Sequence, residues 1–119
     1  MYKEIILDHW RSPQNKGLLE DFDLEGQVVN QLCGDAILVR LKFKKSQLHQ
    51  VSFDGEGCAI SQASASLLTE TIKGKSRQEI EKLTAKDVFK LLQIKVIPTR
   101  HRCALLPLEA INRALSPQA

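Results

Sequence analysis

Residues 54–66 have the sequence DGEGCAISQASAS, in which two glycines lead into a cysteine and a run of small residues follows. Glycine lets a backbone turn through positive φ or pass close to a neighbouring segment. The pattern therefore predicts that Cys58 lies where a strand ends and a helix begins. Backbone N–H groups at a helix N-terminus stabilise an anion, which favours the thiolate form of a cysteine there. The alternative is that Cys58 is a small buried residue beside a tight turn, and this segment alone does not decide between the two.

Upstream of this segment, the hydrophobic periodicity predicts one helix and three strands. Apolar residues at helical spacing indicate a helix over residues 2–10, which a following proline ends. Alternating apolar and polar residues predict strands at 26–31, 37–44 and 49–54, and the last two form an antiparallel hairpin.

Downstream of Cys58, the sequence predicts only helices. Helical spacing continues over residues 60–72, and two capping-box patterns open short helices at 77–82 and 85–93. A last helix begins at Cys103 after a linker that contains a proline. Pro107 is expected in the first turn of that helix, where its missing N–H costs little.

This order of elements indicates an α+β fold, in which helices pack on one face of a three-stranded antiparallel sheet. Because polar residues alternate along the hairpin, the other face of the sheet is expected to contact water. A chain of 119 residues is long enough for one domain, which we expect to span residues 1–119.

Composition and charge argue against several classes of protein. The chain is 43% hydrophobic and 26% charged, and it lacks an apolar run of the roughly 18 residues that a membrane span needs. Its N-terminal segment carries acidic residues and does not resemble a secretory signal, so we expect a cytoplasmic location. A net charge of +3 with one Trp and one Tyr does not indicate a nucleic-acid-binding protein.

The three cysteines are candidates for one shared site. They are an odd number and lie far apart in sequence, at positions 33, 58 and 103, which argues against a complete disulfide framework. Each lies at a predicted junction between elements, so the fold can gather them at one end of the sheet. Asp35, two residues after Cys33, can face the same way. Three thiolates and a carboxylate make a tetrahedral set suited to Zn²⁺, so we predict a zinc site formed by Cys33, Asp35, Cys58 and Cys103.

The histidines offer little support for an enzyme with a cysteine nucleophile. His9 is predicted near the end of the first helix, where an imidazolium would stabilise the helix C-terminus, and His49 lies in a strand. A nucleophilic Cys58 or Cys103 would need a base such as His9 or His101 within hydrogen-bond reach. No histidine stands in such a motif with a cysteine.

Four blocks of the sequence resemble the IscU/SufU/NifU-type iron–sulfur cluster assembly proteins, in the same order and over nearly the whole chain. The blocks are Asp8-His9-Trp10 with Pro13, Asn15 and Gly17; Cys33-Gly34-Asp35; residues 55–66 with Lys73-Gly74-Lys75; and Arg100-x-x-Cys103-Ala104-x-Leu106 with Ala110.

The resemblance implies an α+β scaffold that handles sulfur beside a cysteine desulfurase and serves downstream iron–sulfur acceptor proteins. It implies that Cys33, Asp35, Cys58 and Cys103 hold Zn²⁺ or a transient 2Fe–2S cluster, and that Cys33 accepts persulfide sulfur. Asp35 is a harder, weaker ligand than a thiolate, so its release would keep the site labile. Arg100 could pair with Asp35 and govern that release, or it could be a solvated surface arginine.

The chain combines features of two branches of the family. IscU-like members carry a histidine directly before the third cysteine, where this chain has Arg102, with His101 one residue earlier. Residues 96–100 replace the stretch that an Hsp70-type chaperone recognises, so that partner is not expected. The Gly-Glu-Gly-Cys block and Arg100 resemble the SufU branch, but the insertion that SufU-like proteins usually carry between the second and third cysteines is missing.

The two branches imply different mechanisms, and the sequence features of this chain favour the SufU branch. A SufU-like protein keeps zinc and accepts sulfur, while a desulfurase histidine takes over one zinc position and frees Cys33. An IscU-like protein would assemble a 2Fe–2S cluster on the same residues. Either would be a scaffold or sulfur acceptor rather than a stand-alone enzyme. The alternative to both is a purely structural zinc-binding module.

Overall fold

The computed structural model describes residues 3–31 and 34–116. Its elements are α1 (Glu4–Arg11), β1 (Leu24–Asn30), β2 (Asp35–Lys44), β3 (Gln47–Glu56), α2 (Ala59–Ile72), α3 (Arg77–Glu81), α4 (Ala85–Leu92), a 3₁₀ turn (Pro98–Arg100) and α5 (His101–Leu115). The predicted order of helices and strands is confirmed. Within the described ranges, no helix combines the length and apolar character needed to cross a bilayer.

The strands form one antiparallel sheet in the order β1-β2-β3. In β2, the alternate residues Ile37, Val39 and Leu41 are completely buried. They face α5, which packs on β1 and β2, while α2 packs on β3. The predicted α+β architecture is therefore confirmed, because the period-two pattern places one apolar face of the sheet against helices.

The opposite face of the sheet is only partly open to water, although the alternation of polar residues along the hairpin predicts a face in contact with water. The Arg40 side chain donates to the Leu19 carbonyl at 2.8 Å and lies over the Phe22 ring, 4.5 Å from its centroid. The Leu19 N–H donates to the Ser52 hydroxyl oxygen at 3.0 Å, and Ser52 is buried. Residues 18–23 thus fold back over the sheet, which the strand pattern does not reveal.

The last helix begins earlier than predicted. It starts at His101, directly after the 3₁₀ turn that Pro98 opens, so the linker is shorter than expected. Pro107 consequently lies inside α5 and is buried, which corrects its predicted place in the first turn. There it removes the N–H that would donate to the Cys103 carbonyl four residues earlier. The error arises because Pro98 is favoured at the start of a helical turn, a signal that the linker assignment overlooked.

Both predicted capping boxes are present. Ser76 and Glu79 exchange backbone-to-side-chain hydrogen bonds at the start of α3. At the start of α4, the Thr84 backbone N–H donates to the Asp87 carboxylate at 2.8 Å and lowers the pKa of that carboxyl.

A polar seam formed by Gln62, Ser66 and Thr69 of α2 and by Lys73, the residue after this helix, holds the segment that follows α1. Gln62 accepts from the Lys16 ammonium at 2.8 Å, Ser66 accepts from the Gln14 backbone N–H at 2.7 Å, and Thr69 and Lys73 bond the Asn15 side chain at 3.1 and 2.9 Å. The same segment pairs with the edge of β3, since the Gly17 N–H donates to the Phe53 carbonyl and the Phe53 N–H to the Asn15 carbonyl. Residues 14–17 therefore lie between α2 and β3.

Replacing Ser66 with alanine is expected to lower the free energy of unfolding by about 0.5–1.5 kcal/mol, because it removes the hydrogen bonds that the buried hydroxyl makes with the segment after α1. The Ser66 hydroxyl is fully buried and bonds both the Gln14 N–H and His9 Nδ1, the latter at 2.6 Å. Urea unfolding followed by circular dichroism measures the change. Ser12→Ala, the same substitution at an exposed position of this segment, serves as the control. Equal effects from the two variants would show that the seam does not contribute to stability.

Candidate metal centre

Three elements each bring one side chain to the same end of the sheet. Asp35 is the first residue of β2, Cys58 is the N-cap residue of α2, and Cys103 lies in the first turn of α5. One potential ligand atom from each of the three lies within 4.8 Å of the other two. Asp35 is 3% exposed and Cys103 is 2% exposed, whereas Cys58 is only half-buried. The group is therefore reached from solvent on the Cys58 side.

Cys33, the fourth residue of the predicted set, lies outside the described residues. Chain connectivity places it two positions before Asp35, between β1 and β2. The flanking backbone is fixed, because Asn30 pairs with Asp35 across the two strands and its carbonyl accepts from the Gly34 N–H at 2.9 Å.

Two glycines allow the chain to approach Asp35 as it leaves β3. Gly55 has a φ of +132°, and a Cβ there would lie 1.9 Å from the Ala36 carbonyl oxygen. A Cβ at Gly57 would lie 2.2 Å from the Ser61 hydroxyl oxygen and 3.2 Å from an oxygen of the Asp35 carboxyl group. Side chains at these positions would push β3 and α2 away from β2. The glycines thus permit the close placement of Cys58 beside Asp35.

The first turn of α2 fixes the backbone of Cys58. The Cys58 carbonyl accepts from the Gln62 N–H at 3.1 Å and from the Ser61 hydroxyl at 3.0 Å. No acidic residue occupies this first turn. Cys58 therefore lies at the N-terminal end of α2, where the first backbone N–H groups have no partner within the helix.

The donor set fits a bound zinc ion. Asp35 Oδ2 is buried and has no hydrogen-bond partner among the described residues. A buried carboxylate oxygen left without a partner is costly, and a cation beside it would remove that cost. Two thiolate sulfurs and one carboxylate oxygen are ligands that Zn²⁺ accepts, and a tetrahedral site has room for one more.

The histidines are not part of this group. Within the described residues, the cluster of potential metal ligands contains only Asp35, Cys58 and Cys103. His101 Nε2 lies 2.7 Å from the Val96 carbonyl, and its ring packs on Phe89 at a centroid distance of 5.0 Å. These contacts tie His101 to the segment before the 3₁₀ turn and to α4.

The two arginines near Cys103 differ in exposure. Arg100 is half-buried and ends the 3₁₀ turn, three residues before Cys103, whereas Arg102 is exposed to solvent. Arg102 thus occupies the position that precedes the third cysteine without being buried in the site.

Sequence patterns missed Gln62, which lies one helical turn after Cys58. It is only 5% exposed, and its Nε2 has no hydrogen-bond partner among the described residues, although its Oε1 accepts from Lys16. Helical periodicity assigns the buried face of α2 to apolar and small residues, so a long polar side chain there is not anticipated. The available signal was its position inside a run of small residues.

Comparison with known proteins places this geometry in a family. The sequence model of the NifU-like N-terminal domain matches residues 1–117. The zinc-dependent sulfurtransferase SufU of Bacillus subtilis is 30% identical over 135 residues, covering 99% of this chain and 91% of that protein. The iron–sulfur cluster assembly scaffold protein IscU of Aquifex aeolicus is 39% identical over 116 residues, covering 96% and 73%.

Solved structures agree with the sequence relatives. The crystal structure of the SUF-system protein FiSufU from Fervidobacterium islandicum superposes with a TM-score of 0.78 at 28% identity, covering 97% of this chain and 96% of that one. The match of the family model over nearly all of the sequence, together with these relatives, shows that the chain belongs to the NifU-like N-terminal domain family.

Proposed function

We propose that this chain is an iron–sulfur cluster assembly protein that accepts sulfur from a cysteine desulfurase. In this proposal, residues 1–119 act as one domain, and the site consists of Cys33, Asp35, Cys58 and Cys103. The observation that carries it is the grouping of Asp35, Cys58 and Cys103 within 4.8 Å, beside a carboxylate oxygen without a described partner. The names of the SufU and IscU relatives supply the reaction class.

The resident metal in this proposal is Zn²⁺. When bound, it would keep the thiols deprotonated and link β2, α2 and α5 through their side chains. Asp35 is the hardest of the four ligands and the most readily released, and we propose that Arg100 modulates this release. A 2Fe–2S cluster would be cargo assembled on the same residues.

Cys33 is the proposed sulfur acceptor. Its thiolate attacks the terminal sulfur of the desulfurase persulfide, forming a new S–S bond while the desulfurase S–S bond breaks. The desulfurase cysteine leaves as a thiolate and the terminal proton stays on the transferred sulfur, so no external oxidant or reductant is needed. Downstream iron–sulfur acceptor proteins would then receive the sulfur or the cluster.

The alignments do not separate the two branches. The alignment with SufU of Bacillus subtilis extends over 135 residues, and those with relatives named IscU extend over 116, 131 and 138 residues, against the 119 of this chain. Experiment must therefore separate zinc-dependent transfer from cluster scaffolding.

Desulfurase turnover with and without this protein tests the proposal. We expect the zinc-loaded protein to stimulate a partner desulfurase and Cys33→Ala to abolish that stimulation. Gln31→Ala, an exposed residue of the same loop, is the control and should stimulate normally. Full stimulation by the Cys33 variant would exclude its role as sulfur acceptor.

Anaerobic reconstitution with iron, run in parallel, separates the remaining functions. Stimulation with retained zinc favours sulfur transfer, and formation of a 2Fe–2S cluster favours scaffolding. Tightly held zinc with neither stimulation nor cluster formation would contradict the proposal and identify a purely structural module.

A further inference from the structure

A basic groove lies at the end of the sheet opposite to the metal centre, between the β2–β3 turn and the end of α2. It has a volume of about 570 Å³, and its walls include Lys44, Lys45, His49 and Lys73, all exposed. No acidic residue is among the described residues that line it. Three lysines without an acidic neighbour in the lining give the groove a local excess of positive charge.

The two walls of the groove are joined by backbone hydrogen bonds. The Leu48 N–H donates to the Lys75 carbonyl, and the Gly74 N–H donates to the Leu48 carbonyl, each at 2.8 Å. Gln47 and Ser76 form a further antiparallel bridge. The groove is therefore held in place before any ligand arrives, which reduces the entropy lost on binding.

Lys45 occupies a position where a lysine does not favour the turn. Lys45 and Ser46 form the two-residue connection between Lys44 and Gln47, with φ values of +53° and +67°. Positive φ at both central residues is typical of a type I′ turn, which favours Asn-Gly over residues with larger side chains. A lysine here contributes its charge to the groove rather than stability to the hairpin.

We propose that this groove binds an acidic segment of a partner protein. Carboxylates of the segment would lie against the ammonium groups of Lys44, Lys45 and Lys73, and apolar side chains would pack on the lysine stems. Among the described residues that line it, the groove has no Phe, Tyr or Trp for stacking bases and no arginine for bidentate phosphate binding. These features favour a carboxylate-rich peptide over a nucleic acid.

The position of the groove leaves the metal centre accessible. Lys44 and Asp35 are the two ends of β2, and ten strand residues span about 30 Å. A partner bound in the groove would therefore not cover the end of the sheet where Asp35, Cys58 and Cys103 meet. The groove can hold one protein while the metal centre serves another.

Fluorescence anisotropy with the full, zinc-loaded chain tests this inference. The probe is a fluorescein-labelled synthetic peptide of alternating Glu and Leu, and a single-stranded oligodeoxynucleotide of equal charge is the competitor. We expect the peptide to bind, its affinity to fall with added salt, and a Lys44→Glu, Lys45→Glu variant to bind it about tenfold more weakly. Lys73 is left unchanged because its ammonium also donates to the Asn15 side chain. In NMR spectra, changes in backbone amide chemical shifts on peptide binding should be confined to residues 44–49 and 73–75.

Two further variants make the result decisive. Lys45→Asn with Ser46→Gly removes one charge while favouring the turn, so weaker binding by this variant cannot result from unfolding. Charge reversal of Lys82 and Lys86, which are exposed elsewhere, is the matched control. Equal losses in the two reversed variants, tighter binding of the oligonucleotide at the same residues, or no peptide binding would each overturn the proposal.

Discussion

Replacing Asp35 with alanine is expected to stabilise the metal-free protein and to weaken Zn²⁺ binding at least ~100-fold. The two effects have one cause. In the absence of metal, Asp35 Oδ2 is buried without a described hydrogen-bond partner, and such a group costs about 1–3 kcal/mol. Alanine removes that cost, and it also removes the only carboxylate of the described ligand group.

Chelated and zinc-loaded protein must therefore be compared separately. Urea unfolding of the chelated forms measures the gain in stability, and competition with a fluorescent zinc chelator measures the affinity. Asp54→Ala is the control, because Asp54 is a half-buried aspartate on neighbouring β3 that does not belong to the metal group. It should leave zinc affinity unchanged.

A gain in the stability of the chelated protein together with a loss of zinc affinity distinguishes a metal ligand from a carboxylate that stabilises the fold. If Asp35→Ala lowered the stability of chelated and loaded protein equally, the carboxylate would be stabilising the fold directly. If the variant kept normal zinc affinity, Asp35 would not be a ligand and the donor set would have to be completed by other residues.

Local patterns were sufficient to predict most elements and the proximity of Asp35, Cys58 and Cys103. Alternation from Ile37 to Phe43 identifies β2 because one face of the sheet packs on helices, and the capping box at Ser76 depends only on neighbouring residues. Cys58 and Asp35 could be assigned to one end of the sheet because both lie where strands begin or end. Element boundaries fix the positions of such residues without knowledge of distant contacts.

Features that depend on contacts between distant segments could not be predicted in this way. The burial of Ser52 requires residues 18–23 to fold over the sheet, and the burial of Gln62 requires the Lys16 segment to pack on α2. Neither contact has a local pattern in the sequence. The early start of α5 is different. Pro98 is a local signal for the start of a helical turn, but whether the helix continues from it depends on how the following residues pack.

If the proposed zinc is bound, its removal is expected to lower the melting temperature by about 10 °C, because its ligands lie on β2, α2 and α5. A ligand present at a hundred times its dissociation constant stabilises the folded state by about 2.7 kcal/mol, which corresponds to roughly 10 °C for a domain of this size. Differential scanning calorimetry with and without a zinc chelator measures the change, and added zinc should restore the original value.

The loss of stability should also be confined to the elements that carry the ligands. Without metal, the first turns of α2 and α5 lose their link to β2, so their amides should exchange faster with deuterium. The β2–β3 turn is held by its own hydrogen bonds to residues 74–76, and its exchange should change little.

Cys103→Ser should behave like chelated protein and should no longer respond to zinc, because it removes the buried sulfur that α5 contributes. An unchanged melting temperature after complete removal of zinc would show that the fold is stable without this link and that the metal serves the chemistry of the site alone.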